Sequence, residues 1–558
     1  MRDVLRHRLQ ALPDGVQQVV RCAAVLGREA EFGVLARLVD LAEDPLIDAL
    51  DHAVGAGFLV EAGSSWKATY SFPHDLMREA VYGDLPQTRR QRLHVRAAEA
   101  LLLPGATVGP AAVQLRAAGP AADPERAAEL SLQAADEAAR LYAWHEAVDH
   151  AEAAIDVLEQ AGARPERRAA AAVQTAVLRL KSSIGDRRAV QLLETALELY
   201  RLIGDDDAAA TVHGRLGGAL CTNHSVMDIP RAIEHLAAAE RLNGDRFHLH
   251  RGMTQAAMYG VRTEVLGDAA GRAEALASEL GRRDLVVMAS WGRGWYEFNR
   301  GRLSDAANVR EAMWATAHEL ADPYLGWTSV SGAALCATEY LLDPVAGRAW
   351  CRRGLAQARF DTFEHPHDTI VDQLALALAA MGDLDDARRV AEPLPADAVS
   401  RRVLTFLGGD WVRAEQEWAA ALYRDEEAGD FHDAALNARW LAGVRRLLGD
   451  HDGAVDVLRR AVTIGVEGPQ VPTELAARAE LAQLLADPAE AAAQLERCDE
   501  ILAGGEDWRG LAGVVELARG VVTGADDAYQ RAVEIFTTYR LPWRRAAALK
   551  AALKARGR

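Results

Sequence analysis

A six-residue pattern that opens a new helix decides the fold of this chain. It is clearest in Gly382-Asp-Leu-Asp-Asp-Ala387, Gly409-Asp-Trp-Val-Arg-Ala414 and Gly449-Asp-His-Asp-Gly-Ala454. Glycine at the first position permits a tight turn, and alanine at the sixth permits close helix packing. Looser copies in the same register begin at Tyr142, Gly185, Met227, Gly267, Gly301, Leu342, Ala486 and Thr523. The eleven starting positions are separated by about 38 residues on average.

This spacing predicts one helix–turn–helix unit per repeat, because apolar residues between the turns recur at intervals of three and four residues. The period is close to the 34 residues of tetratricopeptide repeats. A single helical hairpin cannot bury its apolar face alone, so neighbouring hairpins stack and share a continuous core. The sequence therefore predicts a tetratricopeptide-like α-solenoid, a superhelix, over residues 126–558.

The first hundred residues depart from this repeat. Two short apolar runs at 58–61 and 66–72 flank turn residues at 62–65 and predict a β-hairpin. Helical patterns surround the hairpin, at 3–11, 14–26, 32–40, 45–56, 74–83 and 86–102. Several helices with one hairpin are typical of a winged helix, so the chain is expected to be all-α with a winged-helix domain at 1–103. Residues 104–125, bounded by Pro-Gly and Gly-Pro, are expected to connect the two parts.

Composition and charge exclude several classes of protein. The 558 residues carry a net charge of −18, so the overall field repels nucleic acid and acidic membranes. Five widely separated cysteines without a CxxC pair exclude a disulfide scaffold and a cysteine-rich zinc module. The N-terminus has no signal-peptide pattern, and the longest uncharged stretch, 323–338, is too short to span a bilayer. We therefore expect a cytoplasmic protein with no membrane partner.

Specific stretches add a family resemblance. Val19-Val-Arg-Cys-Ala-Ala-Val-Leu-Gly-Arg28, Tyr70-Ser-Phe-Pro-His-Asp-Leu-Met-Arg-Glu-Ala-Val-Tyr82 and Arg89-Arg-Gln-Arg-Leu-His94 resemble the winged-helix domain of large bacterial signal-transduction (STAND) ATPases. These include the large LuxR-type regulators and ATPases linked to adenylate cyclase domains. The repeats, with 123–148 and 505–543, resemble the sensor region of the same family. The resemblance implies a regulatory protein that binds a protein, a peptide or a small inducer.

The chain also departs from that family. A P-loop, GxxxxGK[ST], needs its lysine to reach the phosphates. Of the four lysines only Lys181 precedes a serine, and no glycine stands in the required places before it. About fifteen residues follow Trp543, too few for a C-terminal helix-turn-helix module. We therefore expect the middle part of such a regulator, or a shortened relative, whose P-loop ATPase partner is a separate domain or chain.

The resemblance singles out His74. In the similar ATPases, a winged-helix histidine at this motif approaches the nucleotide phosphates of the adjacent domain. An imidazole can donate a hydrogen bond to a phosphate oxygen, and more strongly when protonated. The alternative is a structural histidine that caps the helix at 74–83 or lies in the core. In either case we expect Leu76 and Tyr82 to pack inward.

Tryptophans suggest a second site. Five of the twelve lie within sixty residues, at Trp291, Trp295, Trp314, Trp327 and Trp350. Trp291, Trp295 and Phe298 share one helical face. They are either core packing between repeat helices or an aromatic lining on the inner surface of the solenoid. Such a lining could bind a peptide or a small apolar ligand.

Other candidate sites have weaker support. His145 and His150 are five apart, which places them on different sides of a helix and excludes a shared metal. The segment 365–368, with two histidines, and His248 with His250 are interpreted as loops. No cofactor or metal is expected. The basic stretch at 89–96 could contact phosphate, but residues 1–103 hold 12 basic and 14 acidic side chains, unlike a DNA-binding face.

These observations predict a non-catalytic regulatory sensor scaffold of a bacterial signal-transduction or transcription-control system. Its partner is expected to be a protein or peptide, a small inducer, or a P-loop ATPase. The alternative is a transcriptional regulator that binds DNA through residues 1–103. A third class, an enzyme with an unrecognised site, is disfavoured because no nucleophile, P-loop or metal motif is complete.

Overall fold

The computed structural model describes residues 2–64, 67–182, 187–222, 225–242, 246–357 and 360–557. These ranges contain 30 α-helices and three short strands. The chain divides into two compact units, Met1–Leu178 and Arg179–Arg558, with the boundary inside one helix. Within the described ranges, no helix combines the length and the apolarity that a bilayer span requires.

The first unit contains ten helices and all three strands. The helices are α1 (Arg2–Gln10), α2 (Asp14–Leu26), α3 (Phe32–Leu38), α4 (Glu43–Gly55), α5 (Asp75–Gly83), α6 (Gln87–Leu101), α7 (Gly109–Ala118), α8 (Pro124–Arg140), α9 (Trp144–Gln160) and α10 (Pro165–Ser182). The strands are β1 (Glu29–Glu31), β2 (Val60–Ser64) and β3 (Lys67–Ser71). They form an antiparallel sheet in the order β1-β3-β2. In its register, Val60 is opposite Ser71 and Ala30 is opposite Tyr70.

The structure confirms the helical patterns and the hairpin strands of this unit. Two residues of the predicted hairpin, Ser65 and Trp66, lie outside the described residues. The expectation of two strands is wrong, because β1 adds a third. This strand has only three residues, and its two glutamates disfavour a strand, so the sequence gives no local signal for it.

A buried polar chain links four helices of the first unit. The Tyr82 hydroxyl lies 2.8 Å from Nε2 of His94, and Nδ1 of His94 lies 2.6 Å from Oε1 of Gln114. The Gln114 amide in turn donates to the Val25 carbonyl at 3.1 Å. Burial lowers the pKa of His94. This series of hydrogen bonds therefore holds α2, α5, α6 and α7 around an apolar core that includes Val20.

The second unit is wholly helical in its described part. Its helices are α11 (Arg187–Ile203), α12 (Asp206–Ala219), α13 (Ile229–Arg241), α14 (Arg246–Tyr259), α15 (Thr263–Glu279), α16 (Arg283–Asn299), α17 (Leu303–Glu319), α18 (Pro323–Leu335), α19 (Pro344–Leu355), α20 (Glu364–Ala380), α21 (Leu384–Ala391), α22 (Val399–Leu407), α23 (Trp411–Ala428), α24 (Phe431–Leu448), α25 (His451–Glu467), α26 (Val471–Ala482), α27 (Pro488–Leu502), α28 (Arg509–Thr523), α29 (Asp526–Thr538) and α30 (Pro542–Ala555). A π-helical turn, Cys336–Tyr340, extends α18.

The Gly-Asp pair of the repeat pattern explains the sharp turns. Gly409 and Gly449 adopt positive φ of 88° and 87°, a left-handed conformation that costs glycine little. The following aspartates are N-caps: Asp410 accepts from the Arg413 amide at 3.3 Å, and Asp450 from the Gly453 amide at 2.9 Å. One glycine and one aspartate therefore end one helix and start the next.

Most predicted turns stand two or three residues before an odd-numbered helix, from α9 to α29. Gly185 lies outside the described residues. The prediction at Gly267 is wrong, because Gly267 lies inside α15 and the turn is at Val261. Val261 has a positive φ of 50°, so a β-branched residue occupies the position where glycine would have marked the turn.

Helices of the second unit form two rows. Even-numbered helices contact their next even-numbered neighbour from α12 to α22 and from α24 to α30, and we call them the inner row. Odd-numbered helices, the outer row, each join two inner helices. This arrangement of stacked helical hairpins is the predicted helical-repeat solenoid.

The inner row also contacts itself over long chain distances. Helix α14 meets α24, and α16 meets α26. Thr263 donates from its hydroxyl to the Gly468 carbonyl at 2.6 Å, 205 residues away. Ser304 donates to Glu506 at 2.9 Å, 202 residues away. Repeats about five units apart are thereby bonded edge to edge, and the inner faces between them border an enclosed space.

Candidate functional site

The inner row lines a cavity of about 860 Å³. The lining helices are α14, α16, α18, α20, α22 and α24 of this row and α23 of the outer row, and most of their lining residues are three or four positions apart on one helical face. The stripes include Arg251, Gln255 and Tyr259 on α14; Trp291 and Trp295 on α16; Trp327, Ser331 and Leu335 on α18; Asp372 and Gln373 on α20; and His432, Leu436 and Trp440 on α24. The volume is typical of a small-molecule or short-peptide site.

The π-helical turn after α18 shapes one end of the cavity. It buries Tyr340 completely, with its hydroxyl 3.0 Å from Nε2 of His432. Gln470 lies 2.7 Å from Nδ1 of the same ring. The preceding residue, Glu339, lines the cavity and accepts from the Trp440 indole nitrogen at 3.1 Å. Single π-turns are frequent at functional sites, and this one places a carboxylate beside an aromatic core.

Charge around the cavity is strongly asymmetric. Its lining includes the carboxylates Asp228, Glu339, Asp368, Asp372, Asp397, Asp425, Glu427 and Asp433. Three arginines, Arg251, Arg402 and Arg424, also line it. The eight carboxylates exceed the three arginines by five charges, so the field inside the cavity is negative when its histidines are neutral.

Two of these carboxylates are held by neutral donors. Asp372 accepts from the Ser400 and Val399 amides at 2.9 and 3.2 Å, which caps α22. Glu339 accepts from Trp440. Burial raises the pKa of Asp372, and burial together with the Asp372 charge raises the pKa of Glu339. Burial is the largest cause of both shifts, and it is opposed by Arg439 and Arg544 at Glu339 and by Arg402 at Asp372.

Several lining atoms are buried without a partner in the described part of the chain. They are Oε1 of Gln255, Oε1 of Gln373, Nε and Nη1 of Arg402, and the indole nitrogens of Trp295 and Trp327. The two glutamines and Arg402 are each more than nine-tenths buried. The Arg402 guanidinium lies 4.5 Å from the Trp418 ring centre. Since an unsatisfied buried polar group is costly, these atoms point to a ligand that binds in the cavity.

The structure brings together three of the five tryptophans singled out from the sequence. Trp291, Trp295 and Trp327 line the cavity. Trp314 and Trp350 lie on α17 and α19 of the outer row and are not among the described lining residues. The Arg353 guanidinium lies 4.9 Å from the Trp314 ring centre and 4.2 Å from that of Trp350.

Sequence reasoning missed five of the eight Trp and Tyr residues in the described lining, one of which is Tyr423. Trp418 and Trp440 stack with ring centres 5.4 Å apart and planes 8° apart. Tyr259 and Tyr324 also line the cavity. These four residues lie on helices far apart in the chain, so local clustering could not reveal them. A usable signal was the mixture of aromatic and charged residues on inner-row faces, where a purely structural helix would carry apolar residues.

His74 is exposed at the start of α5. It is the N-cap residue, and its carbonyl accepts from the Met77 amide at 3.0 Å, but its side chain makes no capping bond. The expectation that Leu76 packs inward is wrong, because Leu76 is 63% exposed. Leu76 lies on the outer face of α5, whereas Tyr82, one and a half turns later, packs against the core. The imidazole is thus neither a cap nor a core group.

The basic stretch of α6 does not form a continuous basic face. The Arg90 guanidinium lies 4.9 Å from the Tyr82 ring centre. Arg96 donates to the Leu38 carbonyl at 2.7 Å. Arg89 and Arg92 are exposed. Two of the four arginines therefore contact the protein itself, which limits the charge available to a phosphate.

The histidine pairs differ from their expected settings. The segments interpreted as loops are helical, since His248 and His250 lie on α14, and His365 and His367 on α20. Pro366 lies in the first turn of α20, where a helix tolerates proline. This explains why the segment 365–368 was wrongly interpreted as a loop. His150 is buried. Among the described residues, no group of three or more His, Cys, Asp or Glu side chains could hold a metal ion.

Comparisons with known proteins give structural likeness only. No family model matches the sequence. No curated protein matches it. A Signal Transduction ATPase with Numerous Domains (STAND) protein with a tetratricopeptide repeat sensor, from Pyrococcus horikoshii, aligns at 12% identity and a TM-score of 0.46, covering 85% of this chain and 67% of its own.

Two further solved structures are similar to the same extent or less. The APC/C hetero-tetramer Cut9–Hcn1 aligns at 12% identity and a TM-score of 0.40, covering 94% of this chain and 95% of its own. Yeast Tom70 aligns at 14% identity and a TM-score of 0.26, covering 78% and 96%. At these values the likeness establishes neither the family nor the function of this chain.

Proposed function

We propose that this protein is a non-catalytic, cytoplasmic regulatory sensor of a bacterial signal-transduction or transcription-control system. In this proposal the helical repeats bind a peptide, a protein segment or a small inducer in the inner-row cavity. Residues 1–103 form a winged-helix domain that contacts a P-loop ATPase, present as a neighbouring domain or a separate chain.

The cavity lined by Trp291, Trp295 and Trp327 is the observation that carries this proposal. Its volume of about 860 Å³, its tryptophans and its unpartnered buried polar atoms are the properties of a ligand site rather than of a packing defect. An empty cavity that served only packing would be apolar. Long-range bonds such as Thr263 to Gly468 hold together repeats that are far apart in the chain.

The chemistry of the cysteines supports a non-catalytic role. All five are buried and free. Burial raises the pKa of Cys22 to about 11 and that of Cys351 and Cys498 to about 12. Burial raises the pKa of Cys221 and Cys336 as well. The thiolate is the reactive form, so these side chains are inert apolar groups rather than nucleophiles.

The proposal is tested by ligand screening with matched tryptophan variants. A panel of short peptides and metabolites is added to the purified chain, and compounds that raise its melting temperature are titrated by calorimetry. We expect Trp291→Ala and Trp327→Ala to weaken each hit, because both rings line the cavity. Trp314→Ala, on the outer row, is the control and should leave binding unchanged. Hits that are insensitive to Trp291 and Trp327, or the absence of any hit, contradict the proposal.

The nucleotide role of His74 is tested in an assembly with a P-loop ATPase. Its exposed imidazole at the N-terminus of α5, next to the exposed Leu76, is available to a docked domain. Both an imidazole and a helix N-terminus favour a phosphate. A charge-assisted hydrogen bond is worth about 1.5–3 kcal/mol, so His74→Ala should speed nucleotide release roughly ten- to hundredfold. His145→Ala is the exposed-histidine control, and an unchanged off-rate in His74→Ala contradicts this role.

A further inference from the structure

The cavity has a charge gradient along its helices. Trp327 on α18 and Glu339 in the π-helical turn that follows are 12 residues apart, which corresponds to ~18 Å along a helix. The Trp327 end adjoins His365, with ring centres 6.5 Å apart. At the Glu339 end, Glu339 and Asp372 both line the cavity, and the Asp372 charge contributes to the raised pKa of Glu339. Negative charge is therefore present at the Glu339 end of the cavity.

Aromatic faces surround the same end. Trp440 holds Glu339 through its indole nitrogen and stacks on Trp418 at 5.4 Å. Trp295 packs against His432 with ring centres 5.0 Å apart. The faces of indole rings attract cations because of their quadrupole, and desolvated sites strengthen the attraction. The Arg310 and Arg402 guanidinium groups already lie 4.9 and 4.5 Å from the Trp295 and Trp418 ring centres, so a ligand cation would use Trp440, the indole beside Glu339.

A buried acceptor provides an independent indication. Gln373, next to Asp372, is only 8% exposed and lines the cavity, and its Oε1 has no partner among the described residues. Gln255, across the cavity on α14, is 7% exposed, and its Oε1 also has no partner among the described residues. These oxygens and the two carboxylates all accept hydrogen bonds. A ligand that satisfies them must be rich in donors.

We infer that the Glu339–Asp372 end of the cavity binds an organic cation, an ammonium or guanidinium group carried on an apolar or aromatic body. The inference rests on the proposed function and specifies its ligand. The body would extend along α18 toward Trp327. Its length of ~18 Å suits a short peptide with an arginine or lysine side chain, and the same chemistry exists in small arylalkylamines.

Two lining arginines, Arg424 and Arg402, would attract an anion, and Arg402 has buried donors without a partner among the described residues. These donors are Nε and Nη1 of Arg402. However, Asp425, Asp372 and Asp433 all act on its charge, and its guanidinium lies against Trp418. Arg424 opposes these carboxylates, and Arg439 and Arg544 act on Glu339. The lining as a whole still holds eight carboxylates against three arginines, so it remains negative. Removing Arg402 should therefore leave binding of a cation unchanged or strengthen it.

The test compares probes that differ only in charge on the full chain. Isothermal titration calorimetry is run with N-acetyl-phenylalanyl-arginine amide and with its neutral citrulline counterpart. We expect the arginine probe to bind about ten- to hundredfold more tightly, because the citrulline probe lacks one charge-assisted hydrogen bond. Phenethylamine distinguishes the source of the cation: comparable binding indicates a small amine site, and binding at least tenfold weaker indicates a peptide site. Either result supports the inference.

Variants of the two carboxylates identify where in the cavity the cation binds. Glu339→Gln keeps an acceptor for Trp440, and Asp372→Asn keeps one for the α22 amides, so both should fold. Each should weaken the arginine probe about tenfold and leave the citrulline probe unchanged. Asp385→Asn, whose side chain is 95% exposed on α21, is the matched control.

Three results would overturn the inference. They are equal binding of the two probes, binding of the arginine probe that is insensitive to Glu339 and Asp372, and no binding by either cation. A preference for N-acetyl-phenylalanyl-glutamate amide that is lost in Arg402→Gln would overturn it while leaving the proposed function standing. The probe comparison uses the unmodified chain, so it holds even if a variant fails to fold.

Discussion

The two rows of the second unit are built from the same helical hairpins but carry different chemistry. Outer-row helices are joined by exposed ion pairs, such as Arg353 with Glu311 at 2.8 Å and Arg459 with Glu490 at 2.9 Å. Inner-row faces instead hold carboxylates bonded to neutral donors, and polar atoms without partners. These exposed pairs balance charge on the outer surface, although outer helix α23 also contributes cavity residues such as Asp425. An inner row with unbalanced charge reduces stability, and natural proteins retain such features where they bind ligands.

The largest expected contrast compares two bidentate ion pairs, one in each row. Arg439 on α24 meets Glu480 on α26 with both bonds at 3.0 Å, and the Arg439 side chain is only 6% exposed. Arg353 meets Glu311 with bonds of 2.8 and 3.0 Å, but these side chains are 36% and 55% exposed.

Glu480→Gln should lower the free energy of unfolding by about 3–5 kcal/mol, because it leaves a buried guanidinium uncompensated. Glu311→Gln should cost less than about 1 kcal/mol. Urea unfolding of both variants measures the difference. Similar losses in the two variants would mean that the rows do not differ in burial as described.

The second contrast concerns pH, at a junction between the rows. His213 on α12 and His235 on α13 have their Nδ1 atoms 2.8 Å apart, and Arg201 donates to Nε2 of His213 at 3.0 Å. This requires both rings to be neutral. Burial, the neighbouring His235 and Arg201 lower the pKa of His213 from 6.5 to about 4. Burial and Arg231 lower the pKa of His235 as well, partly offset by Glu194.

Stability should therefore fall as the pH decreases. Between pH 6.5 and about 4 the unfolded chain binds a proton at His213 that the folded chain does not. After allowing for solvent screening, the loss from pH 7 to pH 5 should be about 1 kcal/mol. Urea midpoints at the two pH values measure it, and His213→Asn should flatten the dependence. An equal slope in that variant would assign the pH effect to other groups.

The smallest contrast separates a turn glycine from a helical one. Gly409 precedes outer helix α23 with φ +88°, and Gly443 lies within inner helix α24; a Cβ at either would contact nothing within 4 Å. Gly409→Ala should destabilise the protein by about 1 kcal/mol through backbone strain alone. Gly443→Ala should stabilise it by about 0.5–1 kcal/mol. Opposite shifts in melting temperature are expected, and shifts of the same sign would contradict the turn geometry.

The outer row could be predicted well from sequence because its signal is local. A glycine in the left-handed conformation followed by an N-cap aspartate marks the start of α23 and α25. The signal weakens where Tyr142, Val261 and Leu342 occupy the same conformation, with φ of 61°, 50° and 55°. These positions carry strain that the surrounding packing stabilises, so their residue type does not reveal their geometry.

The cavity could be predicted only in part. Trp291 and Trp295 share a face within one helix, so their common direction followed from spacing alone. Glu339 could not be placed, since its position depends on the π-helical turn and on Trp440, a hundred and one residues later. Trp314 was indistinguishable from Trp327 by local pattern, because the row to which each helix belongs is decided by contacts between repeats.

The edge-to-edge bonds of the second unit have a consequence for how it folds. In an open solenoid each repeat touches only its neighbours, so the array can melt piecewise from its ends. Here Thr263 is bonded to Gly468, Ser304 to Glu506, and the Leu511 amide to the Leu341 carbonyl at 3.1 Å. Fraying one end therefore exposes groups in a repeat far from that end. The unit is expected to unfold as one cooperative block and to fold more slowly than its helical content suggests, because loops of about two hundred residues must close first.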